Sequence, residues 1–195
     1  MTFLLGLTGS IGMGKSTTAS MFVAHGVPVW SADAAVHRLY DTGGAAVPRV
    51  AALFPRALQN GTISRSVLKQ IIAADPAALP RLETVVHPLV AADRAIFIAS
   101  NQGDIQILDI PLLFENGTES QFDATLLVTA PLSVQRQRVL ERPGMTEDHL
   151  ATMLARQMPD AQKRARATHI VETLDLPSTA AYVKALIAHI RASHA

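Results

Sequence analysis

The chain has 195 residues, 49% of them hydrophobic and only 5% aromatic, so its apolar content is chiefly Ala, Leu, Val and Ile. That length suits one α/β-sized domain with a real core, and the composition disfavours a β-sandwich and excludes disorder as the main description. A formal charge of +1 lacks a nucleic-acid footprint, and the absence of Cys rules out disulfides, thiolate zinc sites and a Cys nucleophile.

The first residues, Met1 to Leu7, carry no basic segment of the kind a secretory signal needs. Every apolar stretch is broken by a charge or Pro well before about 18 residues, as Asp93 and Arg94 break the run after Val85. The expectation is a cytoplasmic protein with no membrane, nucleic-acid or protein partner implied.

Phe3 to Leu7 is a short apolar run without clean alternation, the look of a strand buried on both faces of a parallel sheet. Directly after it, Gly9-Ser10-Ile11-Gly12-Met13-Gly14-Lys15-Ser16 fits the G-x-x-x-x-G-K-[ST] phosphate-loop pattern, and Thr17 follows. Glycines let such a loop curl so that backbone N–H groups of Gly12 through Thr17 face a triphosphate, and a helix over Lys15 to Ala24 adds its positive end. Lys15 is placed to reach the β- and γ-phosphates and Ser16 to ligate Mg²⁺.

A second strand is expected over Val27 to Trp30, then Ser31-Ala32-Asp33 and a helix over Asp33 to Tyr40. Ligands in open parallel sheets lie outside the carboxyl ends of the strands, so Asp33 is a candidate general base. The alternative is an ordinary helix-start carboxylate favoured by the dipole.

The next strand is about 70 residues away, far more than a crossover helix needs. Gly43-Gly44, Pro55, Asn60-Gly61, Pro76, Pro80 and Pro88 punctuate this stretch, which reads as an inserted helical subdomain over residues 31–103. Arg65 within it is a candidate for a substrate phosphate. His87-Pro88 reads equally as a site residue or as a buried helix kink.

Ile105 to Ile110 and Ala124 to Thr129 are the third and fourth strands. Asp109 ends the third, where a carboxylate commonly holds Mg²⁺ directly or through water. Between the fourth strand and the fifth, His169 to Val171, lies a segment over 134–166 with helical patterns at Val134 to Glu141 and Thr146 to Gln157. It reads as a lid. Arg138 and Arg142, four apart and so on one helix face, are candidates for closing over a triphosphate, with a solvated helix surface as the alternative. A last helix, Ser178 to about Ser193, shows Val183, Leu186, Ile187 and Ile190 on one face behind a Ser178 cap.

Together these residues resemble the dephospho-coenzyme A kinase family of P-loop kinases over nearly the whole chain. The resemblance rests on Gly6 to Thr17, Ala32-Asp33, Gly61-Thr62-Ile63-Ser64-Arg65, His87-Pro88, Leu108-Asp109-Ile110-Pro111-Leu112-Leu113-Phe114-Glu115, Phe122-Asp123, Gln135 with Arg138 and Arg142, and Gln157. It implies an α/β P-loop kinase fold: a five-stranded parallel sheet flanked by helices, core 1–30, 104–133 and 167–195, with the coenzyme A-binding insertion and the lid. It further implies ATP and 3′-dephospho-coenzyme A as substrates, Mg²⁺ as cofactor, Asp33 as base for the ribose 3′-hydroxyl, Arg65 and His87 in substrate binding, and Arg138 and Arg142 in the lid. Ser31 and Ser64 stand where the family often has an acid, and Glu172-Thr173-Leu174-Asp175 replaces the usual Asp-Asn-x-Gly near the adenine. Another small-molecule or nucleoside kinase, and a slowly hydrolysing regulatory protein, are the other readings such a scaffold admits.

Overall fold

The computed structural model describes residues 2–194. In chain order it begins with β1 (Phe3–Thr8), α1 (Lys15–Ala24), β2 (Val29–Ser31), α2 (Ala32–Tyr40) and α3 (Val47–Leu53). There follow β3 (Leu58–Gln59), β4 (Thr62–Ile63), α4 (Arg65–Ala74), α5 (Ala78–Ser100), β5 (Ile105–Asp109) and β6 (Ala124–Thr129). The chain closes with α6 (Leu132–Leu140), α7 (Glu147–Leu154), α8 (Asp160–Arg166), β7 (His169–Glu172) and α9 (Leu176–Ser193).

Five strands form one sheet in the order β2-β5-β1-β6-β7, and β1 pairs in parallel with both β5 and β6. Every residue of β5 and β6 is buried, which explains why their sequences run apolar without alternation. The parallel register sets Leu7 opposite Asp109, so the end of β1, where the phosphate loop starts, and the end of β5 lie side by side. Leu5, Leu7, Ile107, Leu126 and Val128 form a core with Phe22 of α1 and Val183, Leu186, Ile187 and Ile190 of α9. The last four share one face of α9, as their spacing requires.

By contacts the chain divides into two compact units, residues 1–29 with 101–195, and residues 30–100. The second has its own core, in which Leu39, Val50, Phe54, Leu68, Leu82 and Val86 are buried together. It is not purely helical, against the sequence reading: β3 and β4 pair antiparallel through Asn60-Gly61, with φ of 50° and 79°. Left-handed φ at both turn positions is what a tight hairpin needs, and Asn-Gly supplies it. α5 runs through Pro88 without ending there.

α9 begins earlier than expected. Asp175, not Ser178, is its cap: the Asp175 carboxylate accepts from the Ser178 N–H at 2.7 Å, and Pro177 fits the open first turn. α8 was not legible as a separate helix, being only 7 residues long. No helix among the described residues is long and apolar enough to cross a membrane.

Candidate active site

The phosphate loop leaves β1 and enters α1 with Gly12 and Gly14 at φ of 77° and 91°, a region L-residues with side chains rarely adopt. Space is as restrictive as the dihedrals. A Cβ on Gly12 would lie 2.5 Å from Val139 Cγ2, and one on Gly14 would lie 3.0 Å from Thr173 Oγ1. The loop is thus pressed between α6 and the segment after β7. Met13 is buried within it, its sulfur accepting from the Ala130 N–H at 3.0 Å.

Lys15 is the first residue of α1, and its ammonium pairs with the Asp109 carboxylate at the end of β5. Both side chains are largely shielded, at 14% and 8% exposure, so the pairing takes place in an environment of reduced dielectric. Ser16 and Thr17 are exposed at the start of the helix.

Arg138 and Arg142 border one open cavity of about 330 Å³ together with Gly12, Gly14, Thr17 and Thr173. They do so without sharing a helix face, because α6 ends at Leu140 and Glu141 is its C-cap. Arg142 instead follows in a tighter turn, its N–H bonded to the Val139 carbonyl at 3.1 Å. Arg138 is half-buried and donates twice to Thr173, through Nη1 to Oγ1 at 2.9 Å and through Nη2 to the carbonyl at 2.6 Å. A solvated surface position does not describe it.

Thr173, which the sequence reading names only as part of the loop after the last strand and gives no role of its own, is central here. Its hydroxyl donates to the Met13 carbonyl at 2.8 Å while accepting from Arg138, and its N–H bonds the Thr129 carbonyl at 2.8 Å. One small side chain thereby joins the phosphate loop, the end of β6 and Arg138 of α6. Its place just beyond a predicted strand end was the available signal.

Asp33, Arg65 and His87 all belong to the unit of residues 30–100. Asp33 is exposed in the first turn of α2, behind Ser31, whose hydroxyl caps the helix by accepting from the Ala34 N–H. Ser64 caps α4 in the same way and leaves Arg65 exposed as its first residue. Burial raises the Tyr40 phenol pKa, and the positive charge of Arg65 partly opposes the shift. His87 is exposed on α5, so the buried-kink reading fails for its side chain. Asp93, read from sequence only as a break in hydropathy, accepts from Trp30 Nε1 at 2.7 Å and from Arg38 Nη2 at 2.6 Å.

The described residues contain no cluster of three or more His, Asp or Glu side chains arranged to hold a metal by themselves. The candidate donors for a cation here are the Asp109 carboxylate at the end of β5 and the Ser16 hydroxyl at the start of α1. That donor set suits Mg²⁺, which completes its octahedron with substrate phosphates and water.

A family model described as dephospho-CoA kinase matches residues 3–175. A Cereibacter sphaeroides protein named dephospho-CoA kinase is 66% identical over 189 residues, covering 97% of this chain and 96% of that protein. One of the same name from Ruegeria pomeroyi is 53% identical over 194 residues, covering 100% and 98%. The crystal structure of a Thermus thermophilus protein superposes with a TM-score of 0.86 at 34% identity, over 96% of this chain and 97% of that one. With the phosphate loop and its lysine at the end of β1 on a parallel sheet, and with likeness of this degree over nearly the whole chain, the chain belongs to the dephospho-CoA kinase family.

Proposed function

We propose that the chain transfers the γ-phosphoryl group of ATP to the ribose 3′-hydroxyl of 3′-dephospho-coenzyme A, giving coenzyme A and ADP, the last step in making coenzyme A. The observation that carries this reading is the family match over residues 3–175. The charged, water-soluble substrates support a cytoplasmic site of action.

The roles follow from chemistry. Backbone N–H groups of Gly12 through Thr17 and the Lys15 ammonium hold the β- and γ-phosphates. Arg138 and Arg142, already beside the loop, neutralise oxygens of the transferring group as charge spreads over them. Arg65 and His87 bind the acceptor, and Asp33 orients its 3′-hydroxyl. The alcohol oxygen bonds to the γ-phosphorus in line as the bond from that phosphorus to the bridging oxygen breaks. The hydroxyl proton passes to the Asp33 carboxylate and ADP leaves. Ser16 and Asp109 would hold Mg²⁺, which would supply further neutralisation of the phosphate oxygens. Residues 31–103 serve as the coenzyme A-binding insertion on the core of 1–30, 104–133 and 167–195, and residues 134–166 as a lid that excludes water, the competing acceptor.

ADP release from ATP and Mg²⁺, measured with dephospho-coenzyme A, adenosine or shikimate, tests the reading. Strong stimulation by dephospho-coenzyme A alone is expected. Equal or better stimulation by adenosine or shikimate, or a basal rate that no alcohol changes, overturns it.

A further inference from the structure

Three side chains that mark the family resemblance, Glu115, Gln135 and Gln157, have no part in the chemistry above. Two of them, Gln135 and Gln157, bond the backbone of Ile11 in the phosphate loop, and Glu115 bonds the residue next to Gln157. Gln135 of α6, 2% exposed, donates through Nε2 to the Ile11 carbonyl at 2.8 Å. Gln157, in the turn between α7 and α8, accepts the Ile11 N–H on Oε1 at 3.3 Å. Both polar groups that flank Ile11 are therefore satisfied from outside the loop, by glutamines from two different elements. A glycine-rich loop has few side chains with which to fix its own shape, so such external bonds decide which way its peptides point.

Gln157 is itself held. The next residue, Met158, donates its N–H to Glu115 Oε1 at 2.8 Å, and the same oxygen lies 2.8 Å from the ammonium of Lys163. Lys163 is fully buried. An ion pair at such a site recovers little of the desolvation cost of its charges, so stability alone is a weak reason for a lysine there; fixing a unique geometry is the better-attested use. Here the geometry fixed is that of the turn carrying Gln157. Glu115 lies beyond β5, six residues after Asp109, so the chain of contacts runs from that loop through the lid turn to the phosphate loop.

We infer that Gln157 is a positioning residue for the nucleotide: through the Ile11 N–H it keeps the phosphate loop in the shape that receives the triphosphate, and the pair of Glu115 with the buried Lys163 keeps Gln157 in place. This rests on the loop being the ATP site, as proposed above. A loop ordered beforehand does not spend binding energy on being ordered, so loss of the bond appears in nucleotide affinity.

The test compares the full chain with Gln157→Leu, which keeps the bulk and removes the acceptor. Binding of ADP with Mg²⁺ by calorimetry, KM for each substrate and the melting temperature are measured on both. The expected result is a rise of about tenfold in the ADP Kd and in KM for ATP, the scale of one lost hydrogen bond. KM for dephospho-coenzyme A stays unchanged, and the melting temperature stays within about 2 °C. Unchanged ADP affinity overturns the proposal, as does a lowered melting temperature with ADP affinity intact. Because Lys163→Met alone leaves Glu115 an unpaired buried charge, the second arm is Glu115→Gln with Lys163→Met. It is expected to weaken ADP binding by a similar factor and to add nothing to Gln157→Leu; wild-type affinity there, or additive losses, overturns the supporting role of the pair. ADP binding is read without an acceptor, so a wild-type chain that binds ADP but ignores dephospho-coenzyme A condemns the acceptor assignment and leaves this test standing.

Discussion

At the level of single residues the reaction proposed above assigns its charges to two sets of side chains. Lys15, Arg138 and Arg142 belong to the unit that holds the phosphate loop, and Asp33 to the unit of residues 30–100. Asp33→Asn is expected to cut turnover by about 10²–10³, the usual range for a general base, with ATP affinity nearly unchanged, because the carboxylate serves the acceptor and not the triphosphate. A loose transition state delays deprotonation and would shrink the loss toward what orientation alone provides. If Asp33 only favours the helix dipole, the mutant shows a stability change of at most about 1 kcal/mol with turnover intact. Turnover, nucleotide affinity and melting temperature measured side by side distinguish these outcomes.

Among the elements, β7 and α9 matter because Thr173 follows the one and Asp175 starts the other. His169 of β7 faces His189 of α9 with ring centroids 6.2 Å apart. Burial, and then the nearby His189, hold the His169 imidazole below its ordinary pKa of 6.5. In the folded chain this group takes up a proton less readily than in the unfolded chain. Stability is therefore full above about pH 6.5 and is lost as pH falls through the lower folded value. Thermal melts from pH 7.5 to 5 should show His169→Gln flattening part of the wild-type decline, and an unchanged slope refutes the assignment. Elements also show what a sequence discloses. β5 and β6 were legible because burial on both faces leaves short, mostly apolar runs without alternation, and α9 because its apolar positions repeat at helical spacing. The hairpin of β3 and β4 was not, since strands of 2 residues have no period and only the Asn-Gly turn betrays them. The α9 cap was misplaced because Asp175 and Ser178 are both good caps within one turn, and the extended backbone at Asp175 selects between them.

Over the whole molecule, legibility in the sequence followed contact distance. The phosphate loop is a local pattern, so its residues were found directly. Thr173 meets Met13 across 160 residues, and Lys163 of α8 meets Glu115 from the far side of β6, so no local spacing announces either contact. The burial of Lys163 also bears on chemical footprinting. The chain has only four lysines, at 15, 69, 163 and 184, and they fall in the phosphate loop, α4, α8 and α9. Lys69 and Lys184 are exposed, Lys15 is largely shielded by its pairing, and Lys163 is inaccessible. An amine-acylating reagent followed by peptide mass spectrometry should mark Lys69 and Lys184 first, and Lys15 slowly and less with nucleotide bound. Lys163 should be marked only on opening of the segment around α8; early acylation there would contradict its burial. Four lysine side chains, each in a different helix, thus make the chain its own set of reporters, with no probe engineered into it.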